Sequence, residues 1–173
     1  MSIVLGVDPG SRKTGFGLVL SEGSSVSYIA SGVVRIAPEL ALAERLQLIF
    51  ESLTSVIQRH QPNEFAIENV FMAKSAGSAL KLGQARGAAM VAATSQDLPV
   101  SEYEAKKVKQ SVVGTGAADK LQVQHMVKTL LKLERSPQED AADALAVALC
   151  HINTQRHLIS VAQSKHFRRG RLV

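Results

Sequence analysis

The hydrophobic residues of this chain change period near residue 37, and that change limits what it can fold into. Before it, apolar runs are short and broken by turn residues. Ile3-Val4-Leu5-Gly6-Val7-Asp8 reads as a buried strand that stops at Pro9-Gly10-Ser11. A second strand, Gly15 to Leu20, follows at hairpin distance, and Val26 to Ile36 is a third, beyond the turn at residues 21–25. Short turns between successive strands predict an antiparallel meander. After the change, Leu46, Ile49, Phe50, Leu53, Val56 and Ile57 recur at three and four, which predicts a helix over about 38–60 ended by Pro62.

The rest alternates. Glu64 to Glu68 is a short strand, arriving after a helix and so expected parallel to the first. Ala76 to Gln96 is a helix rich in small residues, with Leu80, Gly83, Gly87 and Ala88 expected to allow close packing. Pro99 to Tyr103 is a fifth strand, followed by helices over about 105–113, 119–133 and 136–156. Ser136, Pro137 and Glu139 are expected to write the start of the last one as a capping box. This order predicts an α/β fold, a five-stranded mixed sheet flanked by helices.

Composition bounds the function classes. At 173 residues and 46% hydrophobic, the chain has material for one core. No apolar run is long enough to span a membrane, and the N-terminus lacks the basic region of a signal peptide. The single cysteine, Cys150, allows neither an internal disulfide nor a cysteine zinc site, and no histidine shows ligand spacing. A soluble protein of a reducing compartment, the cytoplasm, is expected. The net charge of +5 comes from the end of the chain: residues 155–173 carry Arg156, Lys165, Arg168, Arg169 and Arg171 with no acid. The expected division is therefore a body over 1–156 and a basic, flexible tail over 157–173. Such an arm suits a phosphate backbone, and a solvated terminus is the competing reading.

Four acids stand out by position. Asp8 ends the first strand and Glu68 the fourth, so adjacent parallel strands would bring both carboxylates to one sheet edge, where ligands bind in open α/β folds. Asp140 and Asp143 lie three residues apart on one face of the last helix, whose alanines at 141, 142, 144, 146 and 148 allow close approach to the sheet. Each acid has an ordinary structural explanation, such as a turn or a helix dipole. Together they predict a carboxylate cluster that requires cations, and hard oxygen ligands suit two Mg²⁺ ions, with Mn²⁺ able to substitute. Magnesium-dependent phosphodiester chemistry is the natural use.

The stretches GVDPGSRKTGFG (6–17), FAIENVFMAKS (65–75), SALKLGQARGAA (78–89), VKQSVVGTG (108–116), KLQVQHMVKTLLKL (120–133) and PQEDAADALAVALCH (137–151) resemble, in this order, the RuvC family of bacterial Holliday junction resolvases. The resemblance covers essentially the whole chain. It implies a ribonuclease H-like fold, catalytic and metal-binding roles for Asp8, Glu68, Asp140 and Asp143, and a homodimer. That dimer makes paired nicks in a four-way DNA junction, leaving 5′-phosphate and 3′-hydroxyl ends. The RuvA–RuvB branch-migration complex is the implied partner, in recombination and DNA repair.

Phe71, in the loop after Glu68, is placed to stack on an unpaired base at the junction centre, and a core position is its competing reading. Lys109 and Lys120 match family lysines near the scissile phosphate. Lys74, Lys81, Arg86, Lys106 and Lys107 are candidates for further backbone contacts. Two alternatives keep the fold and change the activity: a nuclease acting on RNA, and a junction-binding module without catalysis. A sugar-kinase reading of Asp8-Pro9-Gly10 with Gly15 and Gly17 fails on size, since such enzymes need two domains of this kind.

Overall fold

A computed structural model describes residues 1–69 and 75–169, the side chains of 162–169 excepted. Phe71, Lys74 and the last four residues of the chain lie outside it, as do the side chains of Lys165, Arg168 and Arg169.

The apolar runs form the predicted meander: β1 (Ser2–Asp8), β2 (Lys13–Glu22) and β3 (Ser25–Arg35) pair antiparallel in succession. Helix α1 (Leu42–His60) then crosses to β4 (Glu64–Asn69), which pairs parallel with β1, with Val7 opposite Ile67. Helix α2 (Ala76–Thr94) leads to β5 (Val100–Glu104), parallel to β4, and the sheet order is β3-β2-β1-β4-β5. Helices α3 (Ala105–Val113), α4 (Lys120–Leu130) and α5 (Glu139–Arg169) complete the chain. None of the described helices is long and apolar enough to cross a membrane.

Strand alternation sorts the sheet into two faces. Leu5, Val7, Leu18, Phe65 and Ile67 pack against α1 and α2 on one side. Val4, Val19, Ala66 and Tyr103 meet α3, α4 and α5 on the other. Glu68 and Asp8 continue the second series, so both lie on the α5 face.

Three glycines decide how near α5 comes. A Cβ on Gly6 would sit 2.2 Å from the Ala144 carbonyl oxygen, one on Gly15 1.9 Å from that of Asp140, and one on Gly17 2.9 Å from the Leu145 nitrogen. At Gly6 and Gly15 the nearest obstacles are backbone atoms, which cannot turn aside; at Gly17 the Leu145 side chain is nearer still, its Cγ 2.6 Å from the added carbon. Opposite them α5 presents Ala141, Ala144 and Ala148, all buried. Two smooth surfaces therefore meet almost backbone to backbone.

The structure corrects three expectations. The predicted capping box at the start of α5 is not formed: the helix begins at Glu139, and the Gln138 carbonyl accepts its first bond, from Ala142 N–H at 2.8 Å. The Pro137 carbonyl accepts instead from Gln124 Nε2 at 2.6 Å, and the Glu139 carboxylate pairs with Lys120. Second, α5 continues past the predicted helix end at Arg156 to Arg169; no Pro or Gly interrupts the sequence before Gly170. Third, Gly83 and Gly87 pack against nothing. The buried side of α2 is Ala85, Ala89, Ala92 and Ala93, and the glycines share the opposite, open side with Leu80 and Val91, 65% and 56% exposed.

Replacing Gly6 by Ala should lower the unfolding free energy by about 3 kcal/mol, at the upper end of overpacking penalties because the neighbour is backbone. Urea denaturation would measure it; a loss below about 0.5 kcal/mol would mean that α5 can back away from the sheet.

Candidate active site

Asp8 leaves β1 at the point where Gly15 faces it across β2, and parallel pairing with β4 puts Glu68 beside it. The close approach of α5 at Gly15 then carries the first turn of that helix, with Asp140 and Asp143, onto the same edge. Two elements thus deliver acids from the sheet and one from above.

A cavity of about 250 Å³ opens there, lined by Asp8, Glu68 and Asp143, with Lys109 of α3 and Lys120 of α4, over Ala105, Val108 and Val123. Asp140 is not in the lining. Its carboxylate lies at the rim, 3.6 Å from the Lys13 ammonium, still close enough to act on the Asp8 charge. Lys120 bridges helices, pairing with Glu139 and standing 3.8 Å from Asp143. Its own position is firm, because the Asp119 side chain accepts from Gln122 N–H at 2.8 Å and caps α4 just before it.

The charges are felt strongly. Burial, then repulsion from Glu68, Asp143 and Asp140, pushes the Asp8 carboxyl up to about 8 against the opposing pull of Lys120. Burial and Asp143 push Glu68 up to about 7, while Lys109 and Lys120 oppose. Burial first raises Asp143 as well. Lys120 is held above its usual value, chiefly by the hydrogen bond to Glu139, and keeps its charge.

These residues fit a hard divalent cation. The donors are all carboxylate oxygens, and their mutual repulsion is the energy that such an ion would relieve. Among the described residues, no three His, Cys, Asp or Glu side chains converge closely enough to hold one ion as they stand. Closure around metal would require side-chain rotation at Asp8, Glu68 or Asp143, with Asp140 leaving Lys13.

The remaining basic candidates divide. Lys106 and Lys107 lie on α3 beside the cavity helix residues, Lys107 with its ammonium 5.2 Å from the centre of the Tyr103 ring. Lys81 borders a small hollow on α2 with Ser11 and Arg45. Arg86 is partly buried and ion-paired with Glu102 of β5. Sequence reasoning missed Lys13 and Glu139. The signal for Lys13 was present, since it stands two residues before Gly15 and so shares the face of the residue opposite Asp8.

At the other end of β1, a cavity of about 310 Å³ contains no cluster of this kind. There His151, buried, accepts or donates to Tyr103 Oη at 2.9 Å through Nδ1 and meets Glu64 Oε2 at 2.6 Å through Nε2. Ser2 Oγ donates to Glu64 Oε1 at 2.7 Å. With each partner satisfied, this network fastens the middle of α5 to β1, β4 and β5.

A mixed sheet with an antiparallel meander, two parallel additions and acids at the β1–β4 edge is the ribonuclease H-like class, and solved structures agree. A RuvC from Thermus thermophilus in complex with a Holliday junction substrate superposes with a TM-score of 0.86 at 34% identity, covering 91% of this chain and 96% of that one. The yeast mitochondrial resolvase Ydc2 matches at 0.64 and 13% identity, a likeness of fold alone. The family model for crossover junction endodeoxyribonuclease RuvC matches residues 4–151. The crossover junction endodeoxyribonucleases of Saccharophagus degradans and Teredinibacter turnerae are 71% and 68% identical over the full length of both chains. The chain belongs to the RuvC family.

The raised carboxyls make a stability prediction for the metal-free protein. An acid whose value is raised on folding destabilises the fold when ionised. That stability is present below about pH 4 and is lost as pH rises through about 7 to 8. In EDTA, thermal unfolding at pH 8.5 should therefore come at a lower temperature than at pH 5.5. Asp8→Asn should recover on the order of 2 kcal/mol at the higher pH. Equal midpoints at both pH values would contradict the crowding described above.

Proposed function

We propose that this chain is a structure-selective endodeoxyribonuclease that resolves four-way DNA junctions by paired, symmetric nicks in recombination and repair. The convergence of Asp8, Glu68 and Asp143 with Lys109 and Lys120 in one cavity, on a chain of this family, carries the reading. The products are 5′-phosphate and 3′-hydroxyl ends that can be ligated. The nuclease body is residues 1–156, and 157–173 is its basic extension. The enzyme works in the cytoplasm, with the RuvA–RuvB branch-migration complex as partner.

Asp8, Glu68, Asp140 and Asp143 are the residues that would hold the metal, Mg²⁺ with Mn²⁺ as a substitute. Held there, two ions would supply Lewis acidity at the phosphate and a water nucleophile near neutral pH. The protein does the rest. Asp8, ending β1, occupies the centre of the acid group, with Glu68 and Asp143 on either side. Lys109 and Lys120 face the cavity and offset the negative charge of the entering phosphodiester. Lys106, Lys107, Lys81 and Arg86 extend the basic surface, and of the residues outside the described ones Phe71 would stack on an unpaired base at the junction centre and Lys74 would add a backbone contact.

Paired nicks require two sites related by symmetry, and a two-fold dimer supplies them. The open side of α2 supports a dimer contact: Leu80, Gly83, Gly87 and Val91 share one helix face, with no side chain beyond the glycines to hold a partner helix away. A second copy of α2 is the occupant.

Two measurements test the reading. On a synthetic mobile junction, beside linear duplex and an RNA–DNA hybrid, the wild type should make paired, EDTA-sensitive nicks in the junction alone. Asp8→Asn should bind that junction and cut at least about 10³-fold more slowly. Preferred cutting of the hybrid would move the substrate to RNA, and binding without any cutting by the wild type would leave a binding module. Leu80→Glu, at an exposed position, should convert a dimer to a monomer in sedimentation and replace paired nicks by single ones. A variant that remains dimeric would exclude α2 as the interface.

A further inference from the structure

The cations that line the cavity come from one side. In the sheet order β3-β2-β1-β4-β5, Asp8 ends the central strand, and Lys109 belongs to α3, which follows β5. A phosphodiester strand crossing the acid group also passes over the β2–β3 side. There Lys13 and Arg35 are direct cross-strand partners, on the α5 face by the alternation that places Gly15 and Gly17 under that helix. Both reach the start of α5, Lys13 to Asp140 at 3.6 Å and Arg35 Nη2 to Gln138 Oε1 at 3.5 Å.

Like charges directly opposite each other in a sheet are unfavourable unless an anion lies near both. Asp140 is the carboxylate nearest Lys13, with Glu139 acting on it from farther off while paired with Lys120, and the Lys13 side chain is still 52% exposed. On the functional reading above, Asp140 is also committed to holding metal. A carboxylate so engaged no longer neutralises Lys13, which then stands charged at the cavity rim beside Arg35.

We propose that Lys13 and Arg35 form a phosphate-binding pair on the β2–β3 side of the cavity, and that they hold the DNA backbone opposite Lys109 and Lys120. The pair is a binding element separate from the residues that carry the chemistry. It rests on the junction-binding reading, since the anion the pair would meet is a DNA phosphate.

Counterion release provides the test, since each phosphate contact contributes about 0.9 to the slope of log affinity against log salt. The full chain is titrated onto a labelled immobile junction by fluorescence anisotropy, in calcium, between about 50 and 200 mM salt. Lys13→Gln should reduce the slope by about 0.9, and Lys13→Gln with Arg35→Gln by about 1.8. Affinity near 0.1 M salt should fall about 5- to 20-fold, and Lys13→Arg should restore most of it. Lys132→Gln, the same charge change at an exposed turn position two residues beyond the end of α4, should leave the slope unaltered. Slopes that match the wild type in the Lys13 and Arg35 variants overturn the proposal, as does an equal change in the Lys132 control. A wild type that fails to bind the junction is a different result, and it removes the functional reading itself.

Discussion

The contact on which everything else depends is the near-touching of two backbones. Where α5 crosses β1 and β2, Gly6 and Gly15 meet the backbone of Ala144 and Asp140 with no side chain between them, and Gly17 makes room for the Leu145 side chain. A side chain at any of the three would lift the helix by the thickness of a methyl group or more. Asp143 would then leave the cavity that Asp8 and Glu68 define from below. Glycine is costly in a strand because it contributes no packing surface and gains freedom on unfolding. Here its smallness sets the height of a helix that carries acids.

That arrangement creates an electrostatic burden which the fold does not hide. Asp8 and Glu68 are pushed far above ordinary carboxyl values, and protein cations neutralise only the margins. Lys120 is shared by Glu139 and Asp143, and Lys13 sits on Asp140. The arrangement is soft in a useful sense. Ion pairs between exposed side chains contribute little to stability, so they exchange partners at small cost. The four acids are thus held in place by backbone packing, while the charge around them stays open to rearrangement.

Much of this was legible in the sequence because it follows from period and position. Alternation in Glu64–Glu68 placed Glu68 on the correct face, and the helix before it made β4 parallel to β1. Asp8 and Glu68 needed only those two facts. What was illegible depended on partners distant in the chain. Ser136, Pro137 and Glu139 have the pattern of a capping box, yet Gln124 takes the Pro137 carbonyl and Lys120 takes the Glu139 carboxylate. Gly83 and Gly87 looked like packing glycines and face open space, whereas Gly6, Gly15 and Gly17 looked like strand and turn residues and do the packing. A glycine's role is written by what stands opposite it. For Arg86 the same holds: charge marked it as a DNA contact, and Glu102 engages it.

The length of α5 has a mechanical side. At 31 residues it extends about 46 Å, roughly twice the reach of β1, so a large part projects beyond the sheet. His151, tied to Tyr103 and Glu64, pins the helix part of the way along. Beam and pin together make a lever, with the acids on the short arm and the basic end of the chain on the long one. Asp140 lies eleven residues, about 16 Å, from that fulcrum. A tilt of about 5° moves it by roughly 1.4 Å, and a displacement near 1 Å is enough to cost an active site about 10²-fold in rate. A load on the far end of this helix would therefore reach the carboxylates only by prising the short arm off Gly6, Gly15 and Gly17, so the same close contact that sets their height also shields their spacing.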